Sequence, residues 1–163
     1  MNNHARSGRS RRTVPTRPPH RRLTHRVPPK MPSYPLRILL VEDHPFQLLA
    51  TQCLLRSFGF ARLTPAENAE QAIRLMSRAE VPFDIILCDQ CLPDLPGLEL
   101  IEIASRRRFT TTAILLSGLP VVELATLIAQ AMDRGLPLLG YLSKPLNKDE
   151  LARLICPLLR LPM

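Results

Sequence analysis

From Leu36 onward the chain alternates short apolar runs with segments of helical periodicity, and this alternation narrows the fold more than any other feature. The runs are Ile38-Leu39-Leu40-Val41, a weaker one around Ala61 to Thr64, Phe83-Asp84-Ile85-Ile86-Leu87-Cys88, Ala113-Ile114-Leu115-Leu116 and Leu138 to Leu142. Such short apolar stretches, bounded by turn residues, read as strands, and the Phe83 run reads as a central one covered on both faces. Between them lie the helical patterns. Pro45 suits a first helical position, with an apolar face read from Phe46, Leu49, Ala50, Cys53 and Leu54 and with Gly59 as the stop. Ala69, Ala72, Ile73 and Met76 mark a second helix. Gly97 opens a third through Leu98, Leu100, Ile101 and Ile103, and Val122 to Met132 makes a fourth. Asn147 is a good N-cap for the fifth, with Glu150 as capping-box partner, and Pro157 is expected to end or kink it. Strict alternation of this kind predicts an α/β fold, a doubly wound five-stranded parallel sheet with helices on both faces.

In that fold ligands gather at the carboxyl ends of the strands. Those positions hold Glu42-Asp43 after the first strand, Asp89 after the third, Ser117 after the fourth and Lys144-Pro145 after the fifth. Three carboxylates brought together repel one another unless a cation neutralises them, and oxygen-only ligation suits a hard ion such as Mg²⁺. A metal there also offsets carboxylate repulsion toward an incoming phosphoryl group, leaving Asp89 to act as a carboxylate nucleophile. A lysine ammonium pairs with one phosphoryl oxygen and a serine hydroxyl donates to another. The roles expected for Lys144 and Ser117 follow.

The pieces that carry chemistry are Leu39-Leu40-Val41-Glu42-Asp43, the segment Asp89-Gln90-Cys91-Leu92-Pro93-Asp94-Leu95-Pro96-Gly97, the pair Ser117-Gly118, and Tyr141-Leu142-Ser143-Lys144-Pro145. In this order the chain resembles the receiver domain of two-component response regulators, over roughly Leu36 to Leu159. The resemblance implies a flavodoxin-like receiver fold with strand order 2-1-3-4-5, and a phosphoaspartate switch rather than an enzyme with its own substrate. By resemblance Asp89 is the phosphoacceptor, and Glu42, Asp43, Asp89 and the backbone carbonyl of Cys91 hold Mg²⁺. Ser117 and Tyr141 match the switch pair, and Lys144 matches the lysine that precedes a cis bond to proline. The implied partners are a histidine kinase or histidine phosphotransfer protein, and a downstream target or second copy at the face of helix four, strand five and helix five. Two departures stand out: Pro96 replaces an acid before the glycine, and the interval from Ser117 to Lys144 is long, with Gly135-Leu136-Pro137 as the expected site of the extra length.

The net charge of +8 suggests nucleic acid until the charges are located. Residues 1–36 contain nine Lys/Arg and no acid, whereas 37–163 hold thirteen basic and fourteen acidic residues, a net of −1. Residues 1–35 are thus a basic, proline-rich tail, too poor in apolar residues to order itself, and the domain is expected over 36–160. Three readings of the tail stay open: an arm with loose affinity for phosphate polymers or anionic membranes, a targeting segment, or a start-site artefact with Met31 as the true start. No apolar stretch follows it as a secretory signal requires, and no run reaches membrane-spanning length. Cys53, Cys88, Cys91 and Cys156 do not form a disulfide framework, so a reducing cytoplasm is expected. Cys88-x-x-Cys91 lacks the second ligand pair of a zinc site.

The rival enzyme is an aspartate-nucleophile phosphatase of the haloacid-dehalogenase type, disfavoured because Cys91 stands where that family has its second Asp. A flavodoxin-like electron carrier needs a phosphate cradle where Glu42-Asp43 stands. A sequence-specific DNA-binding role is not expected, since only Leu-Pro-Met follows the fifth helical pattern.

Overall fold

A computed structural model describes residues 33–159. The expectations for residues 1–32 of the basic tail lie outside that span. The elements alternate as β1 (Tyr34–Val41), α1 (Pro45–Ser57), β2 (Phe60–Ala66), α2 (Ala69–Arg78), β3 (Phe83–Asp89), α3 (Gly97–Arg106), β4 (Thr110–Ser117), α4 (Val121–Asp133), β5 (Leu138–Ser143) and α5 (Lys148–Leu159). All strand pairs are parallel and the order is β2-β1-β3-β4-β5, as the alternation and the resemblance implied. β1 starts at Tyr34, two residues before the expected domain boundary.

Each central strand sends alternate side chains to opposite layers, which is why each carries a continuous apolar run of four residues or more. Leu39, Val41, Ile86, Cys88, Ala113 and Leu115 pack against Ala69, Ala72 and Met76 of α2 and Leu100, Ile101 and Ala104 of α3. Ile38, Leu40, Ile85, Leu87, Ile114 and Leu116 meet Leu48 and Leu55 of α1 and Leu151 and Ile155 of α5. β2 is the weak pattern because it is an edge: Pro65, opposite Leu40, is tolerated where one side of the strand needs no ladder bond.

Two helical expectations need correction. The inward face of α1 is Leu48, Thr51 and Leu55; Phe46 is 75% exposed and Leu49 57%, and Ala50 and Cys53 also face outward, leaving Leu54 half-buried. α5 continues past Pro157 to Leu159, because the missing N–H deprives only the carbonyl of Arg153, in an exposed last turn. The Asn147 cap forms, its Oδ1 accepting the N–H of Asp149 at 2.8 Å and of Glu150 at 3.4 Å. Leu158 and Leu159 pack at the edge of the core.

Candidate functional site

Strand order reverses between β1 and β3, and their carboxyl ends flank the crevice where doubly wound folds bind ligands. Val41 pairs with Cys88, so Glu42 and Asp89 are the next residues on adjacent strands. The N–H of Glu42 donates to the carbonyl of Ala66 at 3.0 Å, and that of Gln90 to Leu116 at 2.9 Å, which extends the ladder past the strand ends. Glu42 and Asp89 are buried and Asp43 is exposed, and carboxylate oxygens of the three lie within 4.8 Å of one another.

Lys144, delivered by β5, closes this cluster. Its backbone N–H donates to the carbonyl of Ser117 at 2.9 Å, and its bond to Pro145 is cis, as the resemblance implied. Its Nζ donates to Oε2 of Glu42 at 2.6 Å and lies 2.9 Å from Oδ2 of Asp89. Partial burial works to lower the lysine pKa, but the hydrogen bonds and charges of the two carboxylates outweigh it and hold the ammonium above its ordinary value. Oδ1 of Asp89 accepts the N–H of Cys91 at 3.2 Å, and Oε1 of Glu42 accepts that of His44, also at 3.2 Å.

The donor set fits a divalent cation. Three carboxylates against one ammonium leave two negative charges (3 − 1 = 2), the ligands are oxygens, and exposed Asp43 leaves the cluster open to solvent. Ser117 is buried at the end of β4, one position past the residue that pairs with Asp89, and its hydroxyl accepts the N–H of Leu119 at 3.0 Å. Tyr141 stands apart, 38% exposed on β5 beside a cleft formed with Ser143, Glu150, Arg153 and Leu154. The Cys88 thiol is buried against the carbonyls of Asp89 and Gly97; burial first, and then the nearby carboxylates, raise its pKa well above the ordinary thiol value. Cys91 is exposed and raised for the same reasons, and all four cysteines are free thiols.

Sequence reasoning passed over three residues that shape the loop after Asp89. A Cβ placed on Gly97 would lie 2.9 Å from both the carbonyl carbon of Asp89 and the Cα of Gln90, and closer still to the Asp89 carbonyl oxygen. Only glycine lets α3 begin this near the backbone of Asp89. Gln90 closes the loop, its carbonyl and its side-chain Oε1 accepting the N–H groups of Gly97 and Leu98, each at 3.0 Å. Asp94 reaches across to α2. Gly97 was legible only as a helix start, and neither side-chain role has a local sequence signal.

A 2-1-3-4-5 parallel sheet with an acidic cluster and a lysine at its carboxyl edge defines a CheY-like domain. The chain belongs to the response regulator receiver domain family, whose description matches residues 38–155. It is 32% identical over 119 residues to two-component system protein A of Emericella nidulans, covering 72% of this chain and 17% of that one. A two-component response regulator of Oryza sativa subsp. japonica is 31% identical over 119 residues, covering 71% of this chain and 88% of its own. The cell cycle response regulator CtrA of Brucella ovis is 30% identical over 125 residues, 77% of this chain and half of that protein. Among solved structures, a CheY-like receiver domain protein from Methanospirillum hungatei superposes with a TM-score of 0.63 at 27% identity, covering 76% of this chain and 93% of that one. The receiver domain of an HD domain-containing protein from Pseudomonas fluorescens gives 0.62 at 32% identity, covering 75% and 92%. The chain is therefore the receiver domain of a two-component response regulator, a regulatory phosphoacceptor class. That membership leaves the phosphatase alternative without support. No helix among the described residues is long and apolar enough to cross a membrane.

Proposed function

We propose that the chain is a phosphoaspartate switch in a two-component phosphorelay, taking a phosphoryl group from a phosphohistidine of a histidine kinase or phosphotransfer protein onto Asp89. The observation that carries this reading is the buried Asp89 carboxylate, within 4.8 Å of two further carboxylates and 2.9 Å from the Lys144 ammonium. An Asp89 oxygen attacks phosphorus, the phosphorus–nitrogen bond breaks, and the imidazole leaves with the electron pair and takes up a proton. Glu42, Asp43, Asp89 and the Cys91 carbonyl would hold Mg²⁺, which when bound supplies positive charge against the phosphoryl oxygens. Lys144 already carries its ammonium against Asp89, and in the acyl phosphate it pairs with a phosphoryl oxygen. Ser117 then turns its hydroxyl from the N–H of Leu119 to another phosphoryl oxygen, and Tyr141 moves inward from its half-exposed place.

In this reading the folded unit is the domain expected over 36–160, extended at its start to Tyr34 of β1, the location is cytoplasmic, and output passes through protein contacts at α4, β5 and α5 to a target or a second copy. Sequence-specific nucleic-acid binding is no part of it. The test is incubation with acetyl phosphate and Mg²⁺ followed by intact-mass measurement: one phosphoryl group is expected, absent in Asp89→Asn, and Asp43→Ala loses the Mg²⁺ dependence. Undiminished labelling of Asp89→Asn refutes the assignment.

A further inference from the structure

Asp94 stands in the loop between β3 and α3, yet its carboxylate is engaged by a different helix. Oδ1 accepts the N–H of Ala69 at 3.0 Å and Oδ2 that of Glu70 at 2.9 Å. A helix begins with N–H groups that have no partner within it. In α2 the remaining ones are met locally, Gln71 donating to Oδ1 of Asn68 at 2.8 Å and Ala72 to the Asn68 carbonyl at 3.1 Å. The two consecutive donors at the tip are left to a residue 25 and 24 positions away. A carboxylate taking both, at the positive end of the helix dipole, makes a strong and directional clamp. Slight burial works to raise the Asp94 pKa, but the backbone N–H groups prevail and hold it below the ordinary carboxylate value.

The loop is thereby fixed at two places. Its base is closed by Gln90, which accepts from Gly97 and Leu98, and its crown is held to α2 by Asp94. Cys91 lies between these two points, with its N–H on Oδ1 of Asp89. The geometry points to Asp94 as a positioning residue for the metal site: by clamping the β3–α3 loop to the N-terminus of α2, it sets where the Cys91 backbone stands relative to Asp89. This inference rests on the reading of Glu42, Asp43, Asp89 and the Cys91 carbonyl as Mg²⁺ ligands. It adds that α2, which contributes no ligand, is mechanically part of the site.

The experiment is calorimetric titration of MgCl2 into the full chain and its variants, with a melting curve for each. Residues that orient metal ligands from behind are worth about 10- to 100-fold in affinity. Asp94→Ala, which frees the loop, is expected to weaken Mg²⁺ binding by about ten-fold, at the low end of that range, and Asp94→Asn, with one acceptor left, by less. Asn68→Ala separates positioning from loss of helix stability, since it removes the other side-chain cap of α2 without touching the loop. It is expected to lower the melting temperature and leave Mg²⁺ affinity unchanged. Equal affinity in wild type and Asp94→Ala overturns the inference, and so does an equal loss in Asn68→Ala. Mg²⁺ affinity that depends on Asp94 in a chain that acetyl phosphate does not label upholds the positioning role while refuting the phosphoacceptor reading. A wild-type chain that takes up no Mg²⁺ overturns both the metal assignment and this inference.

Discussion

Gly97→Ala adds one methyl group at the point where α3 starts against the backbone of Asp89. The new Cβ would stand 2.9 Å from the carbonyl carbon of Asp89 and from the Cα of Gln90. Carbon atoms rest at about 3.5–4.0 Å, so the helix start and the strand end must part by roughly 0.6 Å or more. Neither yields easily. β3 is held by its register with β4 and by the N–H of Gln90 on Leu116, and α3 is anchored by the buried Leu98, Leu100 and Ile101. Forcing a methyl group into such a contact costs about 1–3 kcal/mol. For a domain of this size each kcal/mol is about 3–6 °C of melting temperature, so a fall of roughly 3–18 °C is expected. The chemistry should suffer more than the stability, because a displacement near 1 Å at a reacting group costs about 100-fold in rate. Labelling by acetyl phosphate under saturating Mg²⁺, followed by mass against time beside a thermal melt, measures both. A variant that melts within about 1 °C of wild type and labels at the wild-type rate would refute the steric argument, since an overpacking cost of about 1–3 kcal/mol allows no such outcome.

Asp94 has a folded-state pKa held below its ordinary value, so its stabilising contribution is present above the ordinary aspartate pKa of about 3.9 and is lost as the pH falls through the lowered one. The difference in melting temperature between wild type and Asp94→Ala should therefore be full at neutral pH and vanish in acid; a difference that grows on acidification contradicts the cap. Phe46 and Leu49 lie open on α1, and Phe46 borders a cleft of about 540 Å³ whose lining includes Glu42 and Lys144. Replacing both by serine should change stability by less than about 0.5 kcal/mol each and leave acetyl phosphate labelling intact. Transfer from a phosphorylated kinase should slow, and an unchanged transfer rate would show that the donor does not approach over this helix.

The strand ends were readable because a parallel sheet covered on both faces imposes one rule on its central strands: an apolar run, then chemistry immediately after. Val41 to Glu42 and Cys88 to Asp89 both obey it, and the resulting carboxylate cluster needed no knowledge of packing. α1 was not readable in the same way. Leu48 and Leu55 lie on one side and Phe46, Leu49 and Cys53 on the other, so apolar periodicity supports either face. The tie is broken by Thr51, buried toward the sheet, which a polarity count assigns outward. Asp94 looks like an ordinary turn residue because its partners belong to another helix, and the demand for glycine at position 97 comes from a backbone approach that leaves no periodic trace. Pro157 misled because a missing hydrogen bond costs little in a solvent-facing final turn.

The contact between Lys144 and Glu42 joins residues 102 positions apart, each just past the carboxyl end of a strand, the first and the last in the chain. During synthesis the carboxylates leave the ribosome well before the lysine that neutralises part of their charge. A nascent chain with β1 and β3 exposed therefore holds Glu42, Asp43 and Asp89 but not the ammonium. Only the arrival of β5 supplies it, so the full cluster of three carboxylates and one ammonium exists only once the sheet is complete.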